Sequence, residues 1–274
     1  MWLLSRIEQL LVLSQFQMIM GILNKKFTIM DPVDEFKSER KKDIDDMYLD
    51  KELKKKSLDW MIHADRYKYT YNYTWLGRPI IKYPNDMVVM QELIWEIKPD
   101  LIIETGIAHG GSIIFSASML ELIGARDSEV LAIDIDIRKH NRVEIEKHPL
   151  FKRICLVEGS SISSEVIQKV KSVASRHKVV MVILDSLHTH EHVLKELELY
   201  TPFVSKGSYI IVPDTFIQFF PKGYYSNRPW DVGNNPFTAL KEFLSKNEDF
   251  KVDLEICKKA MITEAIDGYV KRIK

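Results

Sequence analysis

From Met87 onward the chain alternates two hydrophobic rhythms. MVVMQELIWEIKP (87–99) spaces its apolar residues three and four apart, the period of an amphipathic helix. LIIET (101–105) is a short unbroken apolar run, suited to a strand buried on both faces. The alternation then repeats. Helix patterns lie at GSIIFSASMLELIG (111–124), NRVEIEKH (141–148), SSEVIQKVKSVAS (163–175), HEHVLKELELYTPFV (190–204) and PFTALKEFLSKN (236–247). Between them, strand patterns lie at EVLAIDID (129–136), ICLVEGSS (154–161), VVMVILDS (179–186) and SYIIVPDT (208–215), and two more at FKVDLEI (250–256) and AMITEAI (260–266). Strands alternating with helices predict an α/β fold: a mostly parallel sheet of about seven strands with helices on both faces.

The chain before Met87 obeys other rules. MWLLSRIEQLLVLSQFQMIMGIL is apolar but broken by Arg6, Glu8, Gln9, Gln15 and Gln17. A spanning helix wants ~20 nearly uninterrupted apolar residues, so two readings stand: an extension packed on its own domain, or an amphipathic helix lying on a membrane or partner. Residues 31–74 are heavily charged and read as solvated helices. Tyr67, Tyr69, Tyr71, Tyr73 and Trp75 then recur at every second position, either as an aromatic substrate wall or as ordinary packing of an arm. Pro79 and Pro84 predict a loop or irregular edge there. The expected division is an apolar extension (1–30), a helical and aromatic arm (31–86) and an α/β domain (87–274).

Acids fall at the strand ends. Glu104 closes the first strand of the α/β region, Asp134 the second, Gly159-Ser160-Ser161 the third, Asp185 the fourth and Asp214 the fifth. In open α/β sheets ligands bind outside the carboxyl ends of the strands, so these groups converge on one edge. Unpaired buried carboxylates are costly, which favours a ligand over coincidence. Asp134 suits the two hydroxyls of a ribose. Glu104-x-Gly106 lets backbone approach a ligand closely but lacks the Gly-x-Gly-x-x-Gly spacing of a pyrophosphate turn. A nucleoside without phosphates fits better, and S-adenosylmethionine is one, with its amino-acid end at Glu104 and the Gly106–Ser112 turn and its adenine near Gly159-Ser160. Asp185 and Asp214, at neighbouring strand ends ~5 Å apart, suit one hard cation such as Mg²⁺, with Thr215 as an oxygen neighbour. His188, three residues past Asp185, is placed to take a proton. His190 and His192 complete an HTHEH run that invites zinc, but no further His/Cys cluster supplies the remaining ligands; they read as helix-start or surface residues.

Composition adds exclusions. With 39 basic and 39 acidic residues the net charge is zero, so there is no global basic field for nucleic acid. The two cysteines, Cys155 and Cys257, have no metal spacing and suit a reducing cytoplasm.

The segments YNYTWLGRPIIKYPNDMVVMQELIWEIKPDLIIETGIAHGGSIIFSAS, LAIDIDIR, GSS, ILDSLHTHEHVLKELELY, YIIVPDT and MITEAIDGYVKRI together resemble the cephalosporin hydroxylase / rhamnosyl O-methyltransferase family over roughly residues 31–274. The resemblance implies a Rossmann-like class I S-adenosylmethionine-dependent methyltransferase with a Mg²⁺ site like that of catechol O-methyltransferases. It implies an acceptor hydroxyl on a sugar, glycolipid, polysaccharide or related metabolite, and it leaves room for a homo-oligomer in the cytoplasm, peripheral to the inner membrane through residues 1–30. Carried over, Glu104, Gly106, Ala108, Ser112, Asp134, Ile135, Ser160 and Asp185 match cofactor positions, and Asp185, Asp214 and Thr215 match metal positions. Asp185 and His188 match catalytic ones, with His188 where the catechol enzymes keep a lysine. One position departs: some relatives have an acid where Pro213 stands, which leaves fewer protein ligands. Two rivals follow. One is the hydroxylase of the family's name, for which His63-Ala64-Asp65 would be the start of an iron site; the other is a non-catalytic partner subunit that retains the pocket.

Overall fold

The structure, a computed structural model, describes residues 31–274; the apolar stretch 1–30 lies outside them. Helix α1 (Pro32–Leu49) buries no residue. Residues 47–274 form a compact unit, which the helix enters only from Met47 onward. Asp31 starts α1 by accepting the Val33 N–H at 2.7 Å, and Asp34 and Glu35 complement the positive end of its dipole.

Within the compact unit, α2 (Lys51–Asp65) is capped by Asp50, which accepts the Leu53 N–H at 2.9 Å. It buries Met61 against Tyr83, Phe216, Ile217 and Phe220. Where the prolines predict an irregular edge, β1 (Tyr73–Trp75) and β2 (Arg78–Ile80) form a small antiparallel hairpin. Its turn residues Leu76 and Gly77 both have positive φ, 45° and 87°, the twist a two-residue hairpin needs. Pro84 is not a breaker either: it opens helix α3 (Pro84–Ile97), where its missing N–H has no helical partner to lose.

The main sheet contains β3 (Leu101–Thr105), β4 (Glu129–Asp134), β5 (Ile154–Glu158), β6 (Val180–Leu184), β7 (Tyr209–Ile211), β8 (Phe250–Val252) and β9 (Tyr269–Arg272), in the order β5-β4-β3-β6-β7-β9-β8. All pairs up to β7 are parallel, and β9 runs antiparallel to both its neighbours. The sheet has two cores because side chains alternate faces. Ile102, Val130, Ala132, Met181 and Ile183 pack under α3 and α4 (Gly111–Leu122). Leu101, Ile103, Leu131, Ile133, Val182 and Leu184 pack under α6 (Ser164–Ala174), α7 (His190–Tyr200) and α8 (Pro236–Lys246). Each such buried aliphatic contributes roughly 1.5–3 kcal/mol. The short α5 (Lys139–Glu146) follows β4.

The C-terminal region departs from the pattern expected of it. FKVDLEI is strand only to Val252, because Asp253 accepts the N–H groups of Glu255 and Ile256 and starts helix α9 (Leu254–Lys259). AMITEAI is not a strand. Thr263 and the Glu264 N–H turn to the buried carboxylate of Asp86 rather than to a neighbouring strand. The pairing strand comes next, at β9.

Strand order reverses on either side of β3: chain order runs one way through β4 and β5 and the other way through β6 and β7. That is the switch point where α/β sheets open a crevice at their carboxyl ends.

Candidate active site

A cleft of about 1000 Å³ opens there. Its walls bring together Glu104, Gly106, Ala108, Ser112, Asp134, Ile135, Asp185, His188 and Asp214 from the sequence-predicted set. Ser160 and Thr215 are not on the cleft wall. Thr215 is fully buried and its hydroxyl donates to the Glu264 carbonyl at 3.3 Å.

The floor begins at β3. Glu104 is fully buried and neither carboxylate oxygen finds a hydrogen-bond partner. Burial pushes its pKa up to about 7, against the pull of the Lys82 ammonium; the nearby Ser112 hydroxyl also favours ionisation, without an aligned bond. The turn after it is tightly built. Gly106 has φ 89°, and a Cβ there would stand 1.8 Å from the Asp185 carbonyl oxygen. Ala108 takes the left-handed conformation (φ 47°), one of three non-glycine residues on the cleft wall that do so, with Lys68 and Asp214. Backbone held in this way clusters at functional sites. Arg78 and Asn141 clamp the turn from behind: Arg78 donates to the His109 carbonyl at 2.6 Å and Asn141 to the Ala108 carbonyl at 2.8 Å.

At the end of β4, Asp134 accepts the Ile107 N–H at 2.8 Å and the Asp136 N–H at 3.1 Å, one on each oxygen. Each oxygen keeps acceptor capacity toward the cleft. Beside it, Ile135 lines the cleft with 74% of its surface exposed, an apolar face ready for a flat ring.

Because β6 and β7 are paired in parallel, Asp185 and Asp214 meet side by side. Together with His188 they offer three ligand atoms within 4.8 Å of one another. His188 Nδ1 lies 3.5 Å from Asp214 Oδ2, and its ring meets Trp230 edge-to-face at 4.7 Å. Burial pushes the His188 pKa down, although Asp185 and Glu196 pull it up, so the ring rests neutral. Burial and the Asp185 charge drive Asp214 well above the usual carboxylate range. Two carboxylates and a neutral imidazole fit a divalent cation, and the orphaned Glu104 oxygens beside a glycine turn fit an ammonium-bearing cofactor.

Several residues here carry no signal in the sequence. Lys82, on the link between β2 and α3, donates to Asp185 Oδ2 at 3.2 Å and to Glu264 Oε1 at 2.5 Å. Burial alone would lower its pKa, yet Glu264, Asp185 and Glu104 together hold it well above its ordinary value. Trp230, Arg228, Tyr224 and Tyr225 enter from the loop after β7. The aromatic run divides. Tyr71 lines the cleft, Tyr69 packs against Trp60, Tyr73 and Tyr83, and Trp75 donates to Ser118 Oγ at 2.9 Å. His63 is exposed against Tyr67 and off the cleft, while Asp65 is on it, so the two are not joined as an iron site. His190 and His192 stand in the first turn of α7, as expected of helix-start residues, and are partnered there: His190 contacts Thr238 Oγ1 and Glu242, and His192 contacts Ser161 and Ser186.

The chain is similar to known proteins over about three quarters of its length. The rhamnosyl O-methyltransferase of Mycobacterium tuberculosis (strain ATCC 25618 / H37Rv) is 29% identical over 206 residues, covering 73% of this chain and 78% of that one. The protein of the same name from Mycobacterium leprae (strain TN) is 28% identical over 201 residues, covering 73% and 82%. A solved structure of CmcI with Mg and SAM superposes with a TM-score of 0.53 at 19% identity, covering 74% of this chain and 78% of that one, and supports the fold. The family model for rhamnosyl O-methyltransferase/CmcI matches residues 67–273. The chain belongs to the rhamnosyl O-methyltransferase/CmcI family.

Proposed function

We propose that this protein is an S-adenosylmethionine-dependent O-methyltransferase that uses Mg²⁺ and methylates a hydroxyl of a sugar or glycolipid. The observation that carries the reading is the register of carboxylates at the ends of β3, β4, β6 and β7, all on one cleft. Glu104 would hold the cofactor's ammonium, the Gly106–Ser112 turn its carboxylate, and Asp134 its ribose. Asp185 and Asp214 would hold the cation. Bound S-adenosylmethionine supplies a methyl group already activated by a sulfonium; bound Mg²⁺ supplies a charge that acidifies a hydroxyl beside it.

The chain's own task is orientation and proton handling. Methylation of a hydroxyl releases one proton. His188, neutral and beside Asp214, is the group to accept it at a ring nitrogen. Trp230 fixes the ring's plane from the edge. Lys82 holds Asp185 in place through Oδ2.

The test is methyl transfer from labelled cofactor to sugar acceptors, with calorimetry on the same samples. Asp185→Ala and chelator should each abolish turnover while sparing S-adenosylhomocysteine affinity, and Asp134→Ala should weaken that affinity. Chelator-resistant turnover would remove the cation from the reading; wild-type affinity in Asp134→Ala would remove the cofactor assignment. No helix among the described residues is long and apolar enough to cross a membrane. The reading keeps the enzyme in the cytoplasm, with residues 1–30 as a peripheral contact at the inner membrane. A chain beginning at Met30 that partitions like the full chain would overturn that contact.

A further inference from the structure

The cleft has two electrostatic zones. Its floor is acidic: Glu104, Asp185, Asp214 and Glu264 face inward around Lys82. Its outer wall on the side of α2 and the loop after β7 is basic, with Arg66, Lys68 and Arg228 all lining the opening.

None of these three cations has a carboxylate partner among the described residues. Arg228 stands over Trp230, its guanidinium carbon 5.3 Å from the ring centre, and is near enough to His188 and Tyr71 to act on both electrostatically. Arg66 sits beside the Tyr224 hydroxyl. Lys68 is held in the left-handed conformation (φ 52°), an unusual one for a side chain of its type and one that the Tyr69–Asn72 turn begins from. The one acid on this wall, Asp65, lies close to the hydroxyls of Tyr224 and Tyr225, and burial pushes its pKa up. Some basic side chains elsewhere do find acids, Arg142 with Glu158, Arg153 with Glu121 and Arg176 with Glu129, while Arg138, on the β4 side of the cleft, has no ion pair among the described residues. Three unpaired cations around an opening that leads to a metal-type site imply a polyanion at the mouth rather than a single carboxylate.

We propose that the methyl acceptor carries a phosphate or diphosphate group, bound at the cleft mouth by Arg66, Lys68 and Arg228 while its hydroxyl reaches Asp185 and Asp214. This rests on the methyltransferase reading above. Arginine forks match phosphate oxygens in pairs, and Trp230 between Arg228 and His188 would meet the intervening ring face. The phosphate could belong to a nucleotide or to a sugar or lipid phosphate.

Calorimetry on the full chain, metal-free and saturated with S-adenosylhomocysteine, reads the site with inorganic pyrophosphate. Wild type should bind it, and Arg66→Ala/Arg228→Ala should bind about tenfold more weakly or worse, with S-adenosylhomocysteine affinity unchanged. If the double variant melts early, Arg228→Ala alone carries the measurement, because the described residues give its side chain no hydrogen bond to lose. Uridine diphosphate binding more tightly than pyrophosphate assigns the phosphate to a nucleotide; glucose 1-phosphate binding as tightly as uridine diphosphate assigns it to a sugar or lipid phosphate. S-adenosylhomocysteine binding without pyrophosphate binding, or equal pyrophosphate affinity in the variants, overturns this inference alone. Failure of S-adenosylhomocysteine to bind wild type overturns the methyltransferase reading and the inference with it.

Discussion

Replacing Glu104 with Gln should make the unliganded protein more stable at alkaline pH. Glu104 is fully buried, has no hydrogen-bond partner, and its pKa is pushed from 4.5 up to about 7 by that burial. Below about pH 4.5 the carboxyl is neutral in both folded and unfolded chains and contributes no pH dependence. Between 4.5 and 7 the unfolded chain has released the proton that the folded chain retains, so folding loses stability as pH rises. Above about 7 both are ionised, and the raised pKa costs the fold about 3 kcal/mol, at 1.36 kcal/mol per pH unit. Gln has the same shape without the charge. At pH 8.5 Glu104→Gln should therefore melt higher than wild type by about 5 °C or more, and at pH 5 the two should nearly coincide. The cofactor should reverse the order. An ammonium against the Glu104 oxygens offsets the burial cost, so S-adenosylhomocysteine should raise the wild-type melt well above its effect on the variant. Its affinity for the variant should fall by about tenfold or more. Thermal melts from pH 5 to 8.5, with and without ligand, decide the matter. A difference between variant and wild type that does not change with pH, or an equal ligand shift in both, refutes the reasoning.

Gly106→Ala should cost about 3 kcal/mol or more, since a Cβ 1.8 Å from the Asp185 carbonyl cannot be relieved without parting β3 from β6, and φ 89° strains alanine besides. A chemical denaturation midpoint near that of wild type would contradict it. His188→Ala should lose on the order of 10²-fold in kcat with S-adenosylhomocysteine affinity intact, and Gln at the same position should not restore it; recovery with Gln would mean that the ring only fills space against Trp230.

The parallel part of the fold was legible because strands buried on both faces write themselves as apolar runs. LIIET and VVMVILDS needed no other signal, and the acids that close them marked the cleft. The C-terminal region was less legible for a physical reason. In FKVDLEI one residue, Asp253, switches the chain from strand to helix by capping α9. In AMITEAI the apolar spacing is that of a strand, but Thr263 and Glu264 spend their hydrogen bonds on Asp86, which also accepts from the Tyr269 hydroxyl at 2.6 Å. That partner lies in α3, far away in sequence. The third donor of the metal-type cluster was hidden similarly. His188 was readable as a base, but its approach to Asp214 depends on the turn after β6 and on Trp230 from another loop. Lys82 lies in RPIIKYP, where periodicity is silent, and only the fold brings it beneath Asp185.

Lys82 also explains how the unliganded floor holds together at all. Glu104, Asp185, Asp214, Glu264 and Asp86 lie within electrostatic reach of one buried ammonium. Burial, with mutual repulsion adding to it, drives Glu264 and Asp214 well above the usual carboxylate range. One cation cannot neutralise that many acids, and a buried charge without a partner costs several kcal/mol. The fold therefore meets this cost by leaving some of the carboxyls protonated, and the site gains most from ligands that bring positive charge: a divalent cation at Asp185 and Asp214, an ammonium at Glu104. Loading the floor then releases protons and removes repulsion together. The basic residues at the mouth have no part in that balance, since Arg66, Lys68 and Arg228 pair with none of these acids. On the proposal above, their charge serves what the floor's ligands leave exposed: the far end of the acceptor.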